Sequence, residues 1–273
     1  MTRYLATADD IAALVPDGAS VCISKDPLAP SALTAALIRK GIRDIHLITL
    51  PTGAYVCDLL IGAGCVKLVE TSGISLGENG AAGRFVKAVK GGLIEIRDST
   101  CPAVYAAVQA GEKGQPFAPL RGLIGSDIMR VRPDYRVIEN PFEAGDMVAL
   151  LPAIRPDFAL IHADMADRFG NIWVNGRHEA KSLAHAAKQT LVTVEEIIDD
   201  DLRLDPARSA NLIGGLYVTA VAEAKGGAWP TAAPGRYEAD ADALAAYASA
   251  SRSDEGFARW LSEHVTPTRV AAE

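Results

Sequence analysis

The chain is poor in cysteine and has no long apolar run. Four cysteines occur among its 273 residues, and no two of them show the C-x-x-C spacing that clamps zinc or supports dithiol chemistry. No segment approaches the roughly 20 apolar residues needed to cross a bilayer. The opening residues, MTRYLATADDIAALV, include acids where a secretory signal would be apolar. We therefore expect a reduced, cytoplasmic protein with no membrane insertion.

Positive charge is also scarce. Lysine and arginine together number 27, against 34 aspartates and glutamates, which gives a formal net charge of −7. Broad nucleic-acid binding requires a basic surface, so we do not expect it. The sequence also lacks a G-x-G-x-x-G that opens a helix after a strand, and it lacks the P-loop pattern G-x-x-x-x-G-K-[ST]. An NAD or ATP enzyme is therefore disfavoured, and no tightly bound cofactor is predicted.

Segments typical of strands and helices alternate along the chain. Such alternation predicts an α/β fold with an open, largely parallel sheet and helices on both faces. We expect a single domain over residues 1–273, with an irregular insertion at 122–146 and a helical tail at 240–265. Strands are predicted near residues 19–24, 45–50, 66–69, 93–96, 147–150, 158–162, 190–194 and 217–221, and helices near 30–40, 55–61, 84–90, 103–111 and 179–188.

Glu78 lies in a loop that follows one of the predicted strands. Ligands bind beyond the carboxyl ends of the strands in open parallel sheets. The loop, ETSGISLGENGAAG at residues 70–83, sets Glu78 among glycines, whose unusual backbone angles can bring a carboxylate close to a ligand. The same run is also compatible with a simple turn. Other candidate loops at this edge cover residues 24–30, 50–53, 98–102 and 163–176.

The run ALIHADMADRFGNIWVNG, residues 159–176, has two interpretations. Period-two alternation places His162 and Asp164 on one side of a strand, and Asp167 follows in a turn, so the three could hold a metal. A turn held by Asx hydrogen bonds, beside a hydrogen-bonded histidine, is favoured because no fourth ligand is visible. A complete H-E-x-x-H pattern is missing as well. No metal is predicted.

The run GLIGSDIMRVR, residues 122–132, combines small residues with basic ones. Free backbone amides at Gly125, Ser126 and Asp127, followed by arginines, could receive a phosphate or a carboxylate. A capped turn with a solvated charged rim is an equal alternative. The arginines are Arg130, Arg132 and Arg136.

Two further features have less specific interpretations. Glu195 and Glu196 are adjacent in a predicted strand, so their side chains point to opposite faces and cannot act as one acid–base pair. Cys101 is predicted near a helix start, where the helix dipole would lower a thiol pKa. A buried packing role is favoured for Cys101, because free cysteines are mostly inert.

Several segments of the chain together resemble one protein family. They are DLLIGAGCVKLVE, IEIRDSTCPAVYAAVQA, PFAPLRGLIGSDI, PDFALIHADMADRFGNIWV, AKQTLVTVEEIID and GGAWPTAAPGRYEAD. In this order and spacing they resemble the α subunits of family I coenzyme A transferases, of the glutaconate CoA-transferase type, over nearly the whole chain. The likeness extends to relatives that open steroid rings as CoA-thioester hydrolases or decarboxylate a glutaconyl-type CoA thioester. The runs PTAAPGRYEAD and SDEGFARWL look particularly like the hydrolase.

The resemblance implies a fold of the CoA-transferase, or NagB-RpiA-like, type and an active site shared with a homologous β subunit. The assembly would be a heterodimer or an α2β2 heteromer, and acyl-CoA and a carboxylic or dicarboxylic acid would be its substrates. A β-subunit glutamate would attack the acyl-CoA and then carry CoA as a thioester. In the family this glutamate follows the second strand, often within Ser-Glu-Asn-Gly. Here the matching residues 50–53 read Leu-Pro-Thr-Gly, so Glu78 matches the motif in letters but not in place.

The resemblance also implies that loops of this chain line the acyl pocket. Where the family has a glycine-rich stretch after its first strand, this chain has a charged pair, Lys25 and Asp26, which hints at a changed substrate or reaction. Lys25 is expected to meet a substrate carboxylate, to pair with Asp26 or to remain solvated. The residues predicted to bind substrate are Ser24, Lys25, Asp26, Ser72, Ser75, Asn79, Gly125, Ser126 and Asp127.

Alternative functions give a direct chemical role to this chain. In a hydrolase or decarboxylase acting on a CoA thioester, Glu78 or Asp98 would act as the base toward water or carbon. A ligand-binding regulatory module on the same scaffold is the remaining alternative. The sequence therefore favours a CoA-transferase α subunit, with coenzyme A as substrate and no nucleic-acid or membrane partner.

Overall fold

A computed structural model describes residues 2–175 and 177–266 of the chain. In this part, thirteen strands occur: β1 (Arg3–Tyr4), β2 (Ser20–Ser24), β3 (Ile45–Leu50), β4 (Val66–Thr71), β5 (Glu95–Asp98), β6 (Phe117–Leu120), β7 (Arg136–Glu139), β8 (Met147–Pro152), β9 (Phe158–Asp167), β10 (Ile172–Trp173), β11 (Gln189–Ile198), β12 (Leu212–Ile213) and β13 (Ala220–Glu223). The helices are α1 (Ala8–Ala12), α2 (Ser31–Lys40), α3 (Tyr55–Gly62), α4 (Gly83–Lys90), α5 (Cys101–Glu112), α6 (Ile128–Val131), α7 (His178–Ala186), α8 (Ala241–Ala250) and α9 (Asp254–His264). Among these described helices, none is long and apolar enough to cross a membrane.

The main sheet is largely parallel and has the order β1-β13-β11-β9-β2-β3-β4-β5. Only the short strands β10 and β12 add antiparallel pairs among the described residues of this sheet. The predicted fold class is therefore confirmed. Strand β2 leads to β3 on one side, whereas β9 leads to β11 on the other, so the strand order reverses between β2 and β9. A crevice for a ligand is expected outside the carboxyl ends of strands at such a point.

Successive side chains along the strands point to opposite faces of the sheet and pack into two apolar layers. On β3, Leu47 packs into the layer formed by α1 to α4 with α8 and α9. Its neighbour Ile48 points to the opposite face, where it meets Val104 of α5 and Leu183 of α7. Burying each such side chain stabilises the fold by about 1.5–3 kcal/mol. Both faces of β3 are thus covered, as its nearly continuous apolar sequence requires.

Strand β8 does not belong to the main sheet, although residues 147–150 were predicted as one of its strands. It forms the centre of a separate antiparallel sheet with the order β6-β8-β7. An apolar run predicts a strand but does not identify its partner, which explains the error. The segment 122–146 was also predicted to be irregular, and it differs in containing α6 and β7.

The outer face of the small sheet is apolar and exposed. Phe117 and Ile138 are 44% and 41% exposed, and Phe142 is 95% exposed. These side chains line a shallow cavity of about 440 Å³ together with Pro119, Leu150 and neighbouring residues. None of the residues that line this cavity belongs to the candidate loops at the carboxyl edge of the main sheet.

Candidate active site

The loops that follow β3 and β4 are joined to each other by backbone hydrogen bonds. Gly53 N donates to Gly73 O at 2.9 Å, and Ser75 N donates to Gly53 O at 3.2 Å. A side chain at position 53 would meet Ile74 at 2.9 Å, so glycine permits this close approach. Half-buried Ser72 donates its hydroxyl proton to Pro51 O at 2.6 Å, which adds a third connection. The two loops therefore act as one platform at the carboxyl edge.

Glu78 lies in a short 3₁₀ turn, Gly77–Asn79, at the far end of this platform. Gly77 and Gly80 flank it with φ angles of 61° and 92°, which glycine adopts without strain. The Glu78 side chain is exposed, and its carboxylate has no hydrogen bond or salt bridge to any residue that the structure describes. The carboxylate is therefore accessible, and its predicted role remains a prediction.

Ser24 ends β2 at the point where the strand order reverses, and it is buried. Its hydroxyl accepts a hydrogen bond from the Arg177 guanidinium at 2.7 Å. Arg177 also donates to Lys25 O and, at 3.3 Å, to Leu28 O. Arg177 belongs to none of the sequence motifs considered above and was not among the predicted site residues. Its place directly after the candidate loop 163–176 is the signal that could have identified it.

Lys25 and Asp26 are exposed, and within the described residues they form no salt bridge with each other. Protein atoms packed around the Asp26 carboxylate displace water and raise its pKa, while the charges of Arg177 and Lys25 oppose this shift. Both side chains are therefore available at the surface of the crevice, and the alternative of a direct Lys25–Asp26 pair is not observed.

Asp98 ends β5, the exposed edge strand of the main sheet. Its carboxylate accepts a hydrogen bond from Ser99 N at 2.9 Å. Cys101 begins α5 just beyond it, and its thiol lies 3.1 Å from the Ser72 hydroxyl. Cys101 is exposed, so the expectation of a buried packing role is wrong. Because Cys101 starts a helix at the strand ends, it lies beside the platform rather than in the core.

The segment around Gly125, Ser126 and Asp127 is held by its own contacts. The Ser126 hydroxyl donates to Leu123 O at 2.6 Å, and the Asp127 carboxylate accepts from Arg130. The other two arginines of the predicted anion site are also engaged: Arg132 with Glu70 and Asp134, and Arg136 with backbone carbonyls. An anion would have to compete with these partners. Substrate binding by residues 125–127 thus stays a prediction.

A buried polar network joins His162, in the middle of β9, to Glu195, in the second half of β11. Glu195 is 6% exposed, and it accepts hydrogen bonds from His162 Nε2 at 2.8 Å and from the Tyr237 hydroxyl at 2.6 Å. Gly226 N donates to its other oxygen at 2.7 Å. Burial alone would raise the Glu195 pKa, but these hydrogen bonds outweigh it and lower the pKa to about 2. At neutral pH, Glu195 is a fixed negative charge and not a proton donor.

The neighbouring acids are also engaged in structural contacts. Asp164 accepts from Arg236 Nε at 2.7 Å, and Arg236 also pairs with Glu196. Asp167 accepts hydrogen bonds from Asn171 N at 2.9 Å and Asn171 Nδ2 at 2.7 Å, which is the Asx-type turn favoured from the sequence. In residues 2–175 and 177–266, no cluster of three or more potential metal ligands occurs.

Glu195 and its partners hold the segment that supports the Lys25–Asp26 loop. Residues 226–237 follow β13 and contact the beginning of α2. Ala32 N donates to Gly227 O at 2.9 Å, and the Ser31 hydroxyl donates to Ala228 O at 3.0 Å. The loop between β2 and α2, which contains Lys25 and Asp26, is held by Leu28 N, which donates to Ala232 O at 2.8 Å. The network thus sets the position of the loop that follows β2.

Comparison with known proteins shows to which family the chain belongs. The sequence pattern of the coenzyme A transferase family matches residues 5–224. The chain belongs to this family. It is 34% identical to the A subunit of the 3-oxoadipate CoA-transferase of Pseudomonas knackmussii over 278 aligned positions, covering 100% of this chain and 97% of the relative. The sequence-based assignment to a CoA-transferase enzyme subunit is therefore confirmed.

Solved structures of family members share the fold. Glutaconate coenzyme A-transferase of Acidaminococcus fermentans superimposes with a TM-score of 0.91 and 29% identity, over 98% of this chain and 90% of that one. A variant of the decarboxylase AibA/AibB superimposes with a TM-score of 0.84 and 30% identity, over 96% of this chain and 98% of that one. One CoA-transferase scaffold therefore supports more than one reaction, as expected when function resides in the site.

Proposed function

We propose that the chain is the α subunit of a heteromeric CoA-transferase that moves CoA between an acyl-CoA and a carboxylic or dicarboxylic acid. The supporting observation is the loop after β3, where Pro51, Thr52 and Gly53 supply no carboxylate. This loop is fixed to the β4 loop by the Gly53–Gly73 hydrogen bond of 2.9 Å. We infer that the nucleophilic carboxylate comes from another chain, with a homologous β subunit as its expected source.

The proposed reaction divides the transfer into carboxylate substitutions. A glutamate of the partner attacks the thioester carbonyl, which forms an acyl-glutamyl anhydride and expels CoA as its thiolate. The thiolate attacks the glutamyl carbonyl, releases the first acid and leaves CoA on the glutamate. The carboxylate of the second acid then reverses these steps. Coenzyme A enters as a substrate, and no tightly bound cofactor takes part.

In this proposal the present chain supplies the wall of the acyl pocket. Ser24 and Lys25 would contribute from the β2 end, and Ser72 and Ser75 would contribute from the joined platform. Glu78 and Asn79 would line its outer part. We place the enzyme in the cytoplasm, where its four cysteines, all of them free, would stay reduced.

Thioester exchange by the co-expressed α and β chains tests the proposal. The complex should transfer CoA from an acyl-CoA to a free acid. Borohydride added after acyl-CoA should reduce a glutamyl thioester on the partner, and peptide mass spectrometry locates the modified chain. Modification of Glu78 in this chain would contradict the assignment. Absence of transfer to every acid tested, with hydrolysis observed instead, would favour the hydrolase alternative.

A hydrolase or decarboxylase remains the second candidate, because the Glu78 carboxylate is exposed and unpaired among the described residues. A catalytic base in this position would make Glu78→Gln lower kcat by about 100-fold or more. In the transferase proposal the same variant changes KM more than kcat. Glu95→Gln is the matched control, since Glu95 is an exposed glutamate at the amino-terminal end of β5, away from the carboxyl edge of the sheet. A loss of kcat in Glu78→Gln but not in Glu95→Gln would favour the hydrolase or decarboxylase, whereas a change mainly in KM would favour the transferase.

A further inference from the structure

Arg177 occupies the point of the main sheet where the strand order reverses. It lies between β10 and α7, and its side chain is half-buried. The guanidinium donates to the Ser24 hydroxyl at 2.7 Å, to Leu28 O at 3.3 Å and to Lys25 O. These three acceptors are all uncharged oxygens. An arginine presents five N–H donors, so two remain for other partners.

The buried arginines in the described part of the chain have carboxylate partners. Arg84 pairs with Asp254 at 2.7 Å, and Arg132 pairs with Glu70 at 2.8 Å. Arg177 forms no salt bridge with any residue in the described part of the chain. Packing against protein lowers the Arg177 pKa, although the charges of Glu179 and Asp26 act in the opposite direction. A partly desolvated cation of this kind gains when an anion binds directly to it.

We propose that Arg177, assisted by Lys25, binds the distal carboxylate of a dicarboxylic substrate. This inference rests on the proposed function and narrows it from carboxylic acids in general to dicarboxylic acids. The reacting carboxylate would lie toward the partner's nucleophile, and the distal one would reach the guanidinium beside the end of β2. Lys25 adds a second positive charge from the exposed loop, and Asp26 opposes binding because it carries the same charge as the ligand.

The test compares two acids of equal length, adipate and hexanoate, as CoA acceptors for the co-expressed complex. The wild-type complex should prefer adipate. Arg177→Gln should lower kcat/KM for adipate by about 10–100-fold, the usual loss for a charge-assisted hydrogen-bonded pair. The same variant should change kcat/KM for hexanoate less than about 3-fold, because this acid lacks the second carboxylate. Arg177→Lys keeps the positive charge and should therefore recover part of the preference for adipate over hexanoate.

Two further variants separate binding from support of the loop. Asp26→Asn removes a repelling charge and should raise kcat/KM for adipate several-fold, with no gain for hexanoate. Arg155→Gln is the matched control, since Arg155 is exposed and donates to Gln115 O at 3.1 Å before the start of β9. Arg155→Gln should leave kcat/KM for adipate and for hexanoate unchanged.

The results also distinguish this inference from the proposed function. Equal losses for adipate and hexanoate in Arg177→Gln, without rescue by lysine, would show that Arg177 only holds the β2 loop. A wild-type preference for hexanoate would overturn the inference as well. If the wild-type complex transferred CoA to neither these acids nor any other, the proposed function itself would be wrong.

Discussion

Among single residues, Glu195 is a buried carboxylate that accepts hydrogen bonds from three groups. Its pKa of about 2 lies below the usual 4.5, so the folded state holds the charged form more strongly than the unfolded state. The resulting stability is complete above pH about 4.5 and is lost as the pH falls toward 2. Because Glu195 also anchors Gly226 and Tyr237, this stability reaches the loop that supports Lys25.

Glu195→Gln should lower the free energy of unfolding by about 1–3 kcal/mol at pH 7, since hydrogen bonds to a buried charge are weakened. The difference between wild type and variant should shrink as the pH falls from 4.5 toward 2. Urea unfolding at several pH values measures it. Glu238→Gln, at an exposed neighbouring acid, should show no such loss. A constant difference at all pH values would contradict the assigned pKa.

At this scale, the sequence predicted the positions of some candidate residues, and their part in catalysis or binding stays a prediction. Ser24, Ser72 and Glu78 could be placed in loops that follow strands because strand ends and glycine-rich loops leave clear patterns. Arg177 was missed because its role depends on a neighbour about 150 residues away in sequence, the Ser24 hydroxyl. The contacts of Glu195 likewise depend on strand register and on the path of the 226–237 loop. Single-residue patterns do not encode such partners.

Helix α5 approaches the rest of the fold very closely at Gly111. A side chain at this position would lie 2.0 Å from Ile154 O, in the connection that leads to β9. Backbone atoms cannot yield as a flexible side chain can. Glycine therefore sets the distance between α5 and the start of β9.

Gly111→Ala should lower the free energy of unfolding by about 1–3 kcal/mol, because overpacking outweighs the better helix propensity of alanine. Gly122→Ala is the control. Its added methyl group would meet no atom within 4 Å. The control should be neutral or more stable by up to about 1 kcal/mol. Thermal and urea unfolding measure both variants, and equal effects would refute the close approach.

At the scale of elements, the alternation of strands and helices was predictable, because buried parallel strands are apolar and the helices have periodic apolar faces. Common cap residues lie at the ends of two of the helices: Thr7 starts α1 with a capping box, and Gly41 ends α2 with φ 75°. The placement of β8 was not predictable. Its pairing with β6 and β7 is non-local, and an isolated apolar run gives no information about the partner.

At the scale of the whole molecule, the outer face of the β6-β8-β7 sheet forms a large exposed apolar surface. Phe142 projects from it with 95% of its surface exposed. Phe142→Ser should reduce the binding of an apolar fluorescent dye and change the free energy of unfolding by less than about 0.5 kcal/mol, as surface substitutions usually do. Dye titration and urea unfolding check both parts. A large loss of stability would show that Phe142 packs more closely than its exposure indicates.

The central position of β2 has a consequence for how the protein is made. Ser20, at its start, bonds Asp157, which lies 137 residues further along the chain. At a synthesis rate of roughly 5–20 residues per second, the ribosome needs roughly 7–27 s to supply that neighbour. During this time β2 to β5 can form only half a sheet, whose open apolar edge can pair with other nascent chains. Pairing of this exposed edge with other nascent chains during translation should therefore lower the yield of folded protein.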